Sequence, residues 1–180
     1  MKIRPDSEGL DFSGAGLVQV RVPDVPILAD YSWVLWQAAY EPDLLASDVS
    51  KLLWARSYSK EALEAALAAG EKIFWIAVEG SRAGFVAYRL ETVSRHMRLS
   101  KLYLHPDYWG RGLGAWVLQA VSEAAEEVWA EYIDLYVFRR NRRAIQAYQR
   151  AGFRIAREEM TDLGGGMVYD DLVMIKLITK

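Results

Sequence analysis

The chain has no cysteine and only two histidines among its 180 residues. Disulfides, thiol nucleophiles and Cys-ligated zinc are therefore excluded. His96 and His105 are too few and too unsupported to suggest a metal site. An excess of one charge is missing as well: 22 basic residues face 24 acidic ones, for a formal net charge of −2. That balance gives no argument for nucleic acid. No apolar run reaches membrane length, and Met1–Asp6 holds no apolar signal core. The expectation is a cytoplasmic protein with no membrane partner. Hydrophobic residues make up 52% and charged residues 26% of the chain, the proportions of a globular domain with a sizeable core. Residues 1–16, with Gly9, Gly14 and Gly16, read as a loose arm, and residues 17–180 as one domain.

What is present is concentrated between Leu102 and Ala115. Leu102, Tyr103 and Leu104 end an apolar strand. Pro106 stops it, because proline has no N–H to give to a ladder. Gly110, Gly112 and Gly114 then alternate ahead of a helix. Its apolar stripe is Leu113, Trp116, Val117, Ala120, Val121, Ala124 and Val128, at i, i+3, i+4, i+7, i+8, i+11 and i+15. A strand, a glycine-rich turn and a helix N-terminus together form an anion site. The glycines allow close backbone approach, and the first-turn N–H groups have no helical partner. Arg111 adds a positive charge beside it. Downstream, the basic run Arg139-Arg140-Asn141-Arg142-Arg143 reads both as a solvated first turn and as an attraction for an anionic ligand.

The remaining chain follows a simple pattern. Leu17–Val22 alternates as a strand. Asp24 is placed to cap a helix over Val25–Ala39 that is apolar nearly all round. Glu41-Pro42-Asp43 breaks it, a short helix lies within 44–58, and Ser59 opens another that Gly70 stops. Lys72–Val78 and Ala83–Glu91 form a hairpin, followed by strands over Met97–Leu104, Tyr132–Phe138, Arg154–Met160 and Met167–Leu177. The strands on either side of the glycine-loop helix run parallel by the crossover rule. The fold class is α/β (α+β): a three-layer α-β-α sandwich around a mixed, mostly antiparallel sheet.

Pro-x-x-x-Gly-Arg-Gly-Leu-Gly-Ala after a strand resembles the acetyl-CoA pyrophosphate loop of the GNAT superfamily of N-acetyltransferases. Asn141-Arg142-Arg143-Ala144-Ile145-Gln146-Ala147-Tyr148-Gln149-Arg150-Ala151-Gly152-Phe153 is similar to that family's second signature, Asn-x-x-Ala-x-x-x-Tyr-x-x-x-Gly-Phe. Trp109 departs from the pattern, standing where Gln or Arg is usual.

The resemblance implies that acetyl-CoA is the acyl donor, with no metal, and that a primary amine is the acceptor. It implies that the two parallel strands splay apart around the pantetheine, and that the early helices border the acceptor site. The backbone of Trp109, Gly110, Arg111, Gly112, Leu113, Gly114 and Ala115 would hold the pyrophosphate. The backbone of Leu102, Tyr103 and Leu104 would meet the pantetheine, with Asn141, Arg143, Ala144 and Tyr148 completing the cofactor set. Tyr148 is the candidate acid for the departing thiolate. The family's strand glutamate is matched here by Arg98, which leaves Glu91 as the nearest carboxylate, to be read either as a base or as a solvated strand end, with His96 and a tyrosine-held water as the other options for the base. Trp33, Trp36 and Trp54 suggest either core packing or an apolar, cation-binding pocket.

Three alternatives stand beside this reading. A non-catalytic acyl-CoA sensor would explain the missing glutamate. Gly110-x-Gly112-x-x-Ala115 with Asp134 also satisfies a dinucleotide fingerprint, but five residues and a proline separate the glycines from the strand. Asp134 moreover lies inside an alternating strand, facing away from the apolar layer in a structural role. The third is a turn that binds nothing. Whether the protein forms a homodimer is left open.

Overall fold

A computed structural model describes residues 12–40, 47–164 and 167–178. It contains seven strands and five α-helices among the described residues. The strands are β1 (Ala15–Gln19), β2 (Lys72–Val78), β3 (Ser81–Glu91), β4 (His96–Leu104), β5 (Tyr132–Phe138), β6 (Arg154–Gly164) and β7 (Met167–Leu177). The helices are α1 (Val25–Tyr40), α2 (Ser47–Tyr58), α3 (Lys60–Ala68), α4 (Leu113–Glu127) and α5 (Arg142–Arg150). The sheet order is β1-β2-β3-β4-β5-β7-β6. Every neighbouring pair is antiparallel except β4 and β5, which are linked through α4 and run parallel.

Side chains alternate across each strand, and this sorts the core into two layers. Ile76, Val86, Leu99, Leu135 and Met174 pack with Val117, Val121 and Phe153 on the α4–α5 side. Ile73, Trp75, Phe85 and Ala87 pack with Leu28, Leu35, Leu53 and Leu63 on the α1–α3 side. The three-layer architecture is thus as expected.

The differences are local. β1 starts at Ala15, inside the expected arm; residues 1–11 lie outside the described residues, as do Glu41-Pro42-Asp43, Gly165 and Gly166. Asp24 does not cap α1: its carboxylate accepts the Arg21 N–H at 2.9 Å within a short 3₁₀ turn. α1 is covered along one stripe, not all round, and leaves Ile27 and Val34 half exposed. β6 runs four residues past Met160, because the β6–β7 ladder continues to Gly164↔Met167.

Two features of β4 position the site. Its pairing with β5 consists of His96↔Tyr132, Met97↔Ile133 and Arg98↔Asp134. Beyond Arg98 both strands continue unpaired with each other, so the sheet opens. Against β3, Tyr88 pairs with Leu99 and Ala87 with Lys101. Ser100 is therefore the extra residue of a β-bulge, a device that re-aims a strand and its side chains.

Candidate functional site

A cavity of about 710 Å³ fills the opening between β4 and β5. Its walls include Leu102, Tyr103, Leu104, Trp109, Gly110, Arg111, Gly112, Gly114 and Ala115 from β4 and the loop, and Asn141, Arg143, Ala144 and Tyr148 from the α5 side. Of the residues expected beside the cofactor, only Leu113 is not in the wall. Its side chain is fully buried in the α4 core, which leaves its backbone N–H to serve.

The loop geometry follows from its glycines. Gly110 (φ +70°) and Gly112 (φ +89°) adopt left-handed conformations, which side chains rarely tolerate. Gly112 is the N-cap of α4. Trp116 is the first residue whose N–H closes back onto the helix, at 3.1 Å from the Gly112 carbonyl. The N–H groups of Leu113, Gly114 and Ala115 therefore point out of the helix end, where the dipole favours an anion. Phe12 covers Gly112 from the side and lines the same cavity.

His105 donates its N–H to Ala83 on β3 at 2.8 Å. By alternation the backbone of Tyr103 also turns toward β3, and that of Leu102 and Leu104 toward the opening. Tyr103 is thus committed to the sheet by its backbone. Its side chain stacks on Phe85 at 5.4 Å, and its hydroxyl lies 3.0 Å from that of Tyr58. Trp109 has specific work for its departure from the family pattern. Its indole Nε1 donates to the Leu104 carbonyl at 2.9 Å, and the Arg143 guanidinium lies 3.4 Å above its ring.

Tyr148 sits half-buried in the wall. α5 ends in a Schellman motif: Phe153 N–H reaches the Tyr148 carbonyl, Gly152 N–H reaches Gln149, and Gly152 has φ +92°. Phe153 then packs at 5.7 Å from the Tyr148 ring. Burial, and next the neighbouring Tyr40, raise the Tyr148 pKa well above the usual phenol value. The hydroxyl stays protonated and can donate. Asn141 caps α5 by accepting the Ala144 N–H at 3.1 Å, and its side chain also meets the Tyr40 hydroxyl.

Glu91 is not brought to this site. It pairs with His96 at the start of β4, roughly 27 Å along that nine-residue strand from Leu104. Its carboxylate accepts from Arg89 Nε at 2.9 Å, and this bond holds its pKa below the ordinary carboxylate value. It is a weakened base in the wrong place. Arg98 is likewise engaged, donating to both oxygens of Asp134 at 2.6 Å each. Asp134 is buried and lies opposite the α4–α5 layer, so its role is structural, as its strand position implied. Trp33 and Trp54 pack edge to face at 5.2 Å, and Trp54 donates to Ser32; both are core. Trp36 is different, because it lines a second pocket.

That second pocket, about 370 Å³, shares Tyr40, Ser100, Tyr103 and Tyr136 with the first. The two therefore adjoin. Tyr58, Phe138, Tyr169 and Asp171 complete much of its wall. Sequence reasoning missed Tyr40, Ser100, Tyr169 and Asp171. The signal for the last two was the alternation of β7, which puts Tyr169 and Asp171 on the face opposite Leu172 and Met174. Among the described residues there is no cluster of three or more ligating side chains for a metal.

Comparison with known proteins agrees with this geometry. Residues 32–153 match the model of the acetyltransferase (GNAT) family. An uncharacterised N-acetyltransferase of Methanocaldococcus jannaschii is 29% identical over 109 residues, covering 57% of this chain and 46% of that protein. The match thus spans less than half the length of that relative. Among solved structures, the PaiA N-acetyltransferase of Thermoplasma acidophilum, in complex with coenzyme A, superposes with a TM-score of 0.72 at 20% identity, over 91% of this chain and 98% of that one. A GCN5-related N-acetyltransferase of Rhodopseudomonas palustris gives 0.74 at 17% identity, over 93% and 98%. The yncA protein of Salmonella typhimurium, solved with acetyl-CoA, gives 0.63 at 15% identity, over 93% and 96%. A chain with these two signatures, this opened sheet and a family match over two thirds of its length belongs to the GNAT family of acetyltransferases.

Proposed function

We propose that the protein transfers an acetyl group from acetyl-CoA to a primary amine by direct attack. The observation that carries this reading is the opening of the sheet beyond the Arg98–Asp134 rung, with the glycine-lined end of α4 at one side and Tyr148 in the wall. The residues present fit the donor. Three outward N–H groups at the α4 N-terminus suit a pyrophosphate. The free backbone of Leu102, and the N–H of Leu104, suit pantetheine amides as an added strand would. The Leu104 carbonyl is already bonded to Trp109, so that edge offers one acceptor fewer than the motif implies. Arg143, exposed but stacked over Trp109, adds a positive charge at the rim.

Acetyl-CoA, when bound, supplies the activated thioester. The protein's part is to hold it, exclude water and manage two protons. Tyr148, kept neutral by burial, donates toward the departing sulfur. The test is thiol release on mixing the protein with acetyl-CoA and an amine panel of alkylamines, polyamines and peptide N-termini. With no cysteine in the chain, a thiol reagent reads only free CoA. Release that depends on the amine supports transfer. Tight acetyl-CoA binding with no release by any amine would favour a sensor, the reading that Arg98 in place of the glutamate recommends.

A further inference from the structure

The smaller pocket holds one carboxylate in an aromatic enclosure. Asp171 lies on β7 opposite Phe138 of β5 and Glu159 of β6. Leu172 and Met174 belong to the α4–α5 core, so alternation turns Asp171 to the opposite face, against α1 and α2. It is only 9% exposed and makes no ion pair among the described residues. A buried charge without a partner is costly, and here it faces a cavity. Around it stand Trp36, Tyr40, Tyr58, Tyr103, Phe138 and Tyr169. The Trp36 and Tyr40 rings lie 4.3 Å apart, and Phe138 stacks on Tyr169 at 4.8 Å. Ring faces and an unpaired carboxylate attract the same kind of guest, an organic cation.

We propose that this pocket seats the acceptor, with the Asp171 carboxylate holding its ammonium group and accepting its proton, and that it selects primary amines with an apolar or aromatic body. The inference rests on the acyl-transfer reading and adds the base that Glu91 does not provide. Asp171 takes the first proton from the ammonium. The freed lone pair forms the N–C bond to the acetyl carbonyl, the C–S bond breaks with its electrons on sulfur, and sulfur takes a proton from Tyr148. The second nitrogen proton restores the Tyr148 hydroxyl, and Asp171 returns its proton to solvent. Burial, and next the neighbouring Asp170, raise the Asp171 pKa to about 6, which makes it a stronger base than an ordinary aspartate. The other titratable groups facing it are tyrosines 40, 58, 103, 136 and 169, the exposed Arg56 of α2 and, across the β6–β7 ladder, Glu159, which is ion-paired with Arg157. Burial raises the pKa of Tyr40, Tyr58, Tyr103 and Tyr169, so these four stay neutral near pH 6.

Asp171→Asn with two acceptors tests this. Benzylamine is an ammonium at neutral pH; aniline is not. Acetyl-CoA affinity, by calorimetry, should be unchanged. Benzylamine affinity for the CoA-loaded protein should fall ten-fold or more, and its acetylation about a hundred-fold, while aniline turnover stays within about three-fold. Equal losses for both amines would mark a merely structural role and overturn the proposal, as would benzylamine binding indifferent to the substitution. The unmodified protein provides a control that does not depend on the variant's folding. Benzyl alcohol, similar in shape but uncharged, should bind at least ten-fold more weakly than benzylamine; equal binding overturns the proposal. Failure of the unmodified protein to bind acetyl-CoA would remove the acyl-transfer reading along with this one. Intact acetyl-CoA binding with benzylamine indifferent to Asp171 would remove this one alone.

Discussion

At Gly112, conformation and chemistry make the same demand. Its φ of +89° strains any side chain, and an aspartate there would also set a negative charge beside the α4 N-terminus. Gly112→Asp should weaken acetyl-CoA binding by about two orders of magnitude, about 3 kcal/mol, as read by calorimetry on a variant whose circular dichroism is unchanged. Tyr148→Phe removes only a hydroxyl from a packed ring. It should lower kcat by about ten- to a hundred-fold and leave acetyl-CoA affinity alone, whereas Glu91→Gln, at the far end of β4, should leave the pH–rate profile as it was. Asp171 carries a consequence for stability. Its folded pKa, about 6, lies above the ordinary aspartate value of about 3.9. The folded state therefore binds this proton more readily than the unfolded chain does. The penalty is present above pH 6 and fades as the pH falls toward 4. After a discount for solvent screening, Asp171→Asn should stabilise the protein at pH 7 by about 1–2 kcal/mol, and the gain should vanish near pH 4. A thermal melt series checks both, and an equal shift at the two pH values would contradict the sign.

Among elements, β4 shows most clearly what was legible. The strand, its stop at Pro106 and the helix after the glycines could be read from local chemistry, because one stretch of chain builds them all. The α5 cap at Gly152 and Phe153 was legible for the same reason. The base was not: a motif position says which residue is missing but not which distant strand replaces it. Arg98 illustrates the trap. Restoring the family's glutamate with Arg98→Glu would not restore a base. It would place two carboxylates on one rung with Asp134, which is buried. Breaking such a pair costs about 3–5 kcal/mol, so the variant should melt well below the parent in a calorimetric scan and show no gain in turnover. Ser100, the bulged residue, was also hidden. Its hydroxyl lies 3.0 Å from the Ala87 carbonyl and also meets Glu71, which binds the buried Lys101 at 2.9 Å. Only the register with β3 reveals that anchoring.

For the whole molecule, the two cavities divide the legible from the illegible. About half of the donor cavity's wall comes from the two contiguous motifs and was anticipated; Phe12, Tyr40, Ser100 and Tyr136, drawn from elsewhere in the chain, were not. The second pocket draws Trp36 and Tyr40 from α1, Tyr58 from α2, Ser100 and Tyr103 from β4, and Tyr169 and Asp171 from β7. No periodicity links residues so far apart, and each alone reads as a packed aromatic or a solvated carboxylate. The sheet that brings them together is held in the middle by only three rungs, His96↔Tyr132 to Arg98↔Asp134, with β1–β4 on one side and β5–β7 on the other. In mechanical terms this is a seam, stitched at one end and open along the rest. A molecule lying in the opening would act as a staple across it. Saturating acetyl-CoA should then slow amide hydrogen exchange most at Leu99–Leu104 and Leu135–Phe138, the two lips of the seam, and much less along the β2–β3 ladder. Slowing spread evenly over all seven strands would mean that the halves never part separately.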